Sequence, residues 1–166
     1  YKQSCNGVLL TFDDGFSDHF HYVLPILLER GLWGTFFIPT NIYRTQKVLD
    51  VHRIHLVIGK LGGIRAMEML EDFVTEEMLT DQYVEDFKRN TYRHQDNDTS
   101  TNCFKRTLNY YISYQWREAA LDHLVEKCFN EDFPQTKDFY LTLDQIKELH
   151  RHGMMIGSHS VNHLVF

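Results

Sequence analysis

The first forty residues carry a strand, helix, strand pattern whose first strand ends in two adjacent carboxylates, and few folds accept that arrangement. The run Val8-Leu9-Leu10-Thr11-Phe12-Asp13-Asp14-Gly15 opens with five apolar or β-prone residues and closes on a glycine, so residues 8–12 read as a short, fully buried strand. A polar turn follows, then Tyr22-Val23-Leu24-Pro25-Ile26-Leu27-Leu28-Glu29-Arg30-Gly31, in which Pro25 suits the first turn of a helix and Gly31 its C-terminal cap. Trp33-Gly34-Thr35-Phe36-Phe37-Ile38 reads as a second buried strand. Two strands joined by one helix over this length form a right-handed βαβ unit with parallel strands.

The theme returns from about Phe139. Thr142-Leu143-Asp144-Gln145 has the form of a capping box opening a helix through Leu149, which Gly153 should end. Met154-Met155-Ile156-Gly157 is then a short strand that delivers Ser158 and His159 at its carboxyl end. Both the carboxylates and the Gly157-Ser158-His159-Ser160-Val161-Asn162-His163 run therefore fall at the same end of one parallel sheet, where α/β proteins place their sites.

Carboxylates that follow a buried strand need a partner, because desolvating them is costly. A cation supplies one, and an Asp with two His makes a three-ligand set with an open position, as catalytic zinc uses. A His-x-x-x-His pair alone is a weak signal in a chain with ten histidines, and His19/His21 and His150/His152 read as surface residues. The run also lacks the Glu that serves as base in zincin helices. Asp13-Asp14 can provide that base, since neighbouring strand-end side chains point in different directions and one can bind metal while the other faces water.

The middle, residues 41–138, looks different. Apolar residues recur at helical spacing in Val48-Leu49-Val51-Ile54-Leu56-Ile58, in Met67-Leu70-Phe73-Val74 and in Leu121-Leu124-Val125-Cys128. Gly62-Gly63 and the polar run His94 to Asn102 punctuate them. A helical insertion of four or five helices is expected, with 94–102 its most mobile loop. Tyr110, Tyr111, Tyr114 and Trp116 suit core packing or a sticky interaction face. The chain thus divides into 1–40, 41–138 and 139–166, forming one domain overall.

Composition narrows the partners. A net charge of −6 without a basic stripe argues against nucleic acid, and no apolar stretch approaches the ~20 residues of a membrane span. No signal peptide is visible, although a chain starting at Tyr1 is compatible with a removed leader. Cys5, Cys103 and Cys128 lack zinc-type spacing and read as reduced or buried thiols.

Thr11-Phe12-Asp13-Asp14-Gly15 with His159-Ser160-Val161-Asn162-His163 resembles the polysaccharide deacetylase (NodB-homology, carbohydrate esterase 4) family. The intervening phrases Leu24-Pro25-Ile26-Leu27-Leu28, Gly34-Thr35-Phe36-Phe37-Ile38 and Ile156-Gly157-Ser158-His159 are similar too. Phe16-Ser17-Asp18 is like the branch acting on poly-N-acetylglucosamine and envelope saccharides. The resemblance implies an α/β fold, part of an irregular (β/α)7 barrel, here with the large helical insertion. It implies a hydrolase that removes N-acetyl groups from an acetylated oligo- or polysaccharide. Asp13 would be the general base, and Asp14, His159 and His163 would hold a divalent metal, zinc first, then cobalt or nickel. Ser160 and Asn162 are candidates for hydrogen bonds that support the ligands. The substrate class points to the bacterial envelope or the cytoplasmic side of saccharide synthesis. After His163 only Leu164-Val165-Phe166 remain, without the family's later motifs for an arginine, a groove-lining Asp and Trp, and a Leu-x-His acid. A fragment of a longer enzyme is expected on that ground, and a second copy of the chain is one cover for the exposed sheet edges. Two rivals use the same residues: an O-acetyl esterase, and a non-catalytic saccharide- or metal-binding relative.

Overall fold

A computed structural model describes residues 7–80, 91–92 and 94–163. The chain divides into two compact units, one from residues 1–48 and 134–164 and the other from 49–133. Cys5 lies outside the described residues.

The first unit is built on three parallel strands in the order β1 (Thr11–Phe12), β2 (Thr35–Ile38), β3 (Met155–Ser158). Helix α1 (Leu24–Glu29) joins β1 to β2, with Pro25 in its first turn and Gly31 at φ 62° just past its end. It is entered through a π turn at His19–Val23. A short helix α2 (Asn41–Thr45) follows β2. The mixed α/β class with a parallel sheet is as expected. The described residues form an open three-stranded sheet, and no closed barrel is present among them.

The first strand is shorter and wetter than its composition suggests. Val8 is 89% exposed and Leu9 62%, and only Thr11 and Phe12 pair with β2. β1 has a partner on one side alone among the described residues, so its outer neighbours lose the burial that a flanked strand would have. β2, with partners on both sides, buries Thr35, Phe36 and Ile38. Phe36 and Ile38 pack with Leu24 and Leu27 of α1 and with Leu149, Leu141 and Met154, and Phe12 and Leu10 lean on that cluster.

The second unit is helical. Its long helical run α3 (Asp50–Glu71) is two helical segments that meet at a kink at Gly62, whose φ 75°, ψ 164° is non-helical, where the sequence pattern placed a break. Gly63 is where α3 meets Thr101 of the next described helix, α4 (Thr99–Arg106): a Cβ there would stand 2.5 Å from the Thr101 amide nitrogen. The run 94–102 is half helix, because Asp98 caps α4 through its carboxylate, which accepts from Thr101 N–H at 2.9 Å. With α5 (Tyr114–Phe129) these helices close a core of Ile54, Val57, Leu70, Phe104, Leu108, Leu121 and Leu124. Trp116 packs against that core, whereas Tyr114 is 56% exposed. Asp50 holds two buried guanidiniums: Arg53 at 2.7 Å and, in an ion pair without hydrogen-bond alignment, Arg117 at 3.1 Å. Arg53 also reaches Asp122, and Arg117 donates to Asn109 at 2.8 Å. Cys103 and Cys128 are half-buried free thiols.

The remaining elements belong to the first unit. A short helix α6 (Thr136–Phe139) precedes α7 (Leu143–Arg151), whose N-terminus carries the full capping box. Thr142 Oγ1 accepts from Gln145 N–H at 3.2 Å, and Gln145 Oε1 accepts from Thr142 N–H at 2.8 Å. Gly153, at φ 83°, turns the chain from α7 into β3. All three strands run the same way, so residues 13–14 and 159–163 leave the sheet at one end.

Candidate metal centre

The carboxylates and the imidazoles arrive on separate loops, and backbone hydrogen bonds fix each loop. His159 N–H donates to Ile38 C=O at 2.9 Å, which extends the β2–β3 ladder one step beyond the strand. Thr40 N–H then bonds Ser160 C=O at 3.2 Å and Asn41 N–H bonds Val161 C=O at 3.0 Å, so the histidine loop is tied to the start of α2. On the other side Gly15 C=O accepts from Leu141 N–H at 2.8 Å, and Ser17 Oγ donates to Asp138 C=O at 3.0 Å. Phe16 stacks on the buried Tyr140 ring and meets Phe139 edge to face. Sequence distance of more than a hundred residues is thereby converted into a fixed loop pair.

Asp14 Oδ1 lies 3.3 Å from His159 Nε2 and 3.3 Å from His163 Nε2. One ligand atom from each of the three residues fits within 4.8 Å of the others. That separation is informative. Ligands about 2.0–2.1 Å from a tetrahedral zinc stand roughly 3.3 Å apart, longer than the ~2.9 Å mode of a direct hydrogen bond. Both imidazoles present the same nitrogen, their ring centroids 4.8 Å apart. All three side chains are partly buried, and the Oδ1 atom is screened from solvent. The donor set, one carboxylate and two imidazoles, suits zinc, cobalt and nickel alike.

The local backbone is unusual in the same places. Asp14 has φ 70°, Ser160 φ 60° and His163 φ 52°, all in the left-handed region, and Gly15 follows at φ 64°. Such residues cluster where a structure over-determines a site. Ser160 contributes directly: its hydroxyl accepts from His163 N–H at 2.9 Å and so holds the turn that presents the second imidazole. Asn162 is exposed, and Asp13 is exposed beside Asp14.

His19 is the residue whose sequence reading needs correction. It read as a surface residue, and its partner His21 is one, but His19 is half-buried against Phe12, Phe16 and Phe36 at ring distances of 5.7–5.8 Å. Its Nδ1 is buried without a hydrogen-bond partner. Burial pushes its pKa below the ordinary 6.5, against the opposing pull of Asp14, Asp18 and Asp13. The signal was the β1–α1 turn itself, since a residue one π turn before the helix falls back over β1. His150 and His152 are exposed as expected.

A parallel sheet with a carboxylate and two imidazoles gathered at the carboxyl ends of its strands places the chain in the class of α/β proteins with a possible three-ligand cation site. Within that class, the family model for polysaccharide deacetylases matches residues 1–166, and the chain belongs to this family. The family comprises metal-dependent hydrolases that act on acetylated carbohydrate. No curated protein and no solved structure matches the chain. No helix among the described residues is long and apolar enough to cross a membrane.

Proposed function

We propose that this chain is a carbohydrate N-deacetylase domain in which Asp14, His159 and His163 hold a divalent cation, zinc first, and Asp13 is the general base. The observation that carries the reading is the pair of 3.3 Å separations from one Asp14 oxygen to two imidazole nitrogens, the spacing of ligands around a cation. A bound divalent cation lowers the pKa of water towards 7 and polarises a carbonyl oxygen. Asp13, exposed and next in the chain, accepts the proton as water attacks the acetamide carbonyl. Asp14, facing both imidazoles, would hold the cation and leave Asp13 as the carboxylate available to take the proton. Ser160 keeps His163 in position through the backbone, and Asn162, exposed on the same loop, is a candidate for a hydrogen bond that supports the ligands. The second compact unit, residues 49–133, would be the insertion in this domain, within the 41–138 expected from the sequence.

Two measurements test the assignment. Asp13→Asn in the protein should abolish acetate release from chitooligosaccharides while leaving metal content unchanged; surviving turnover would remove Asp13 from the base role. Acetylxylan assayed in parallel separates amide from ester cleavage. Binding of the N-acetylated oligosaccharide with no acetate released by the wild-type protein would favour the non-catalytic relative.

A further inference from the structure

The face of the sheet turned away from α1 and α7 holds a side chain that none of the roles above uses. Along β2, Phe36 and Ile38 enter the helix-side core, so Phe37 between them points to the opposite face. Its cross-strand neighbour is Gly157. A Cβ at residue 157 would stand 2.6 Å from Phe37 Cδ1 and 2.7 Å from Cε1. The Cδ1–Cε1 edge of the ring therefore occupies the space over the glycine where a β3 side chain would otherwise project. Two residues further on, the same face of β3 leads to His159, and two residues beyond Thr11 the same face of β1 leads to Asp13. Phe37 is partly exposed, and its neighbours on this face, Thr11 and Met155, are exposed, so solvent and ligand reach the layer.

Resting on the metal-site reading above, we infer that Phe37 is the specificity-determining floor of the site: its ring, seated on Gly157, limits how long an acyl group the site takes and favours acetyl. The physical argument has three parts. The scissile carbonyl must lie at the level of Asp13 and His159, so its alkyl substituent either faces solvent or descends towards the layer beneath. Phe37, with Met155 beside it, supplies the apolar surface of that layer, and burying a methyl on it is favourable. A residue with a Cβ at 157 would force the ring upward and close the space, so the glycine sets the depth.

The test uses the zinc-loaded chain and binds formate, acetate, propionate and butyrate by calorimetry, so it needs no turnover. Wild type should favour acetate over butyrate. Phe37→Ala should shift the butyrate-to-acetate affinity ratio about tenfold towards butyrate, since a methylene in an apolar pocket discriminates on that scale. Phe37→Leu should fall between, and Gly157→Ala should shift the preference the other way, from acetate towards formate. Zinc stoichiometry and thermal midpoint are recorded for every variant. Ratios that stay fixed while zinc still binds, or a uniform loss for all the acids, overturn the role of Phe37 alone. A wild-type chain that takes up no zinc overturns the metal reading and this inference with it.

Discussion

Replacing Asp50 with Asn tests the polar centre of the helical unit. Arg53 and Arg117 have side chains only 6% and 3% exposed, and both direct their charge at the Asp50 carboxylate. The substitution keeps the shape, removes the charge and turns an amide NH2 towards a guanidinium. Breaking a buried ion pair from one side costs about 3–5 kcal/mol when the remaining charge has no other outlet. Here Asp50 is 26% exposed and Asp122 still holds Arg53, so the expected loss is about 2–3 kcal/mol. For a chain of this length that corresponds to roughly 4–12 °C in melting temperature. Asp122→Asn is the internal control: its side chain is 52% exposed, so its loss should stay below about 1 kcal/mol. Urea unfolding followed by far-UV circular dichroism reads both. Equal losses for the two variants, or an Asp50→Asn protein within about 0.5 kcal/mol of wild type, would show that the guanidiniums do not depend on Asp50.

Three further outcomes follow from the geometry. Asp14→Ala should bring zinc stoichiometry close to zero, and stripping metal from the wild type should lower its stability by about 2.7 kcal/mol when free zinc had been a hundredfold above Kd; atomic absorption and thermal melts read these. His19 has its pKa held down by burial, so below about pH 6.5 the unfolded chain takes up a proton that the folded chain resists, and stability should fall as acid is added. His19→Phe should flatten that part of the urea-midpoint profile between pH 5 and 7.5, and an unchanged slope refutes the assignment. Gly63→Ala should cost about 1–3 kcal/mol or more, because the clash at Thr101 is with backbone that cannot swing aside; a wild-type midpoint would show that α3 and α4 separate freely.

The sheet, and with it the meeting of Asp14, His159 and His163 at one end, was legible because the signals for its elements are local. A capping box, Pro25 near a helix start, Gly31 and Gly153 at helix ends, and short apolar runs each act within a few residues, and the structure places elements at all of them. Parallel order then followed from chain handedness. What sequence pattern could not supply was the surroundings of each element. Residues 8–10 have strand composition, but pairing is decided by neighbours, and Val8 and Leu9 have few. Gly62-Gly63 reads as a boundary because glycine weakens helices, and Gly62 does leave the helical conformation; what the pattern could not show is that Ile54, Val57, Ala66 and Leu70 on both sides of the break pack into one core. Asp98 was a legible cap hidden inside a polar run. His19 was misjudged because its burial comes from Phe36, on a strand that pattern alone does not fold back over it.

The left-handed backbone at the metal loops narrows which amino acids can stand there at all. Outside glycine, aspartate, asparagine and histidine are the types that tolerate such φ values best. Asp14 at φ 70° and His163 at φ 52° are drawn from that short set, which overlaps the set of good zinc ligands. Glutamate would match the charge at 14 and cysteine the affinity at 163, yet each would have to be forced into a conformation it resists. Under the ligand roles proposed for them, two independent demands, one from the chain and one from the cation, converge on the same pair of residues, and drift at either position is constrained twice over.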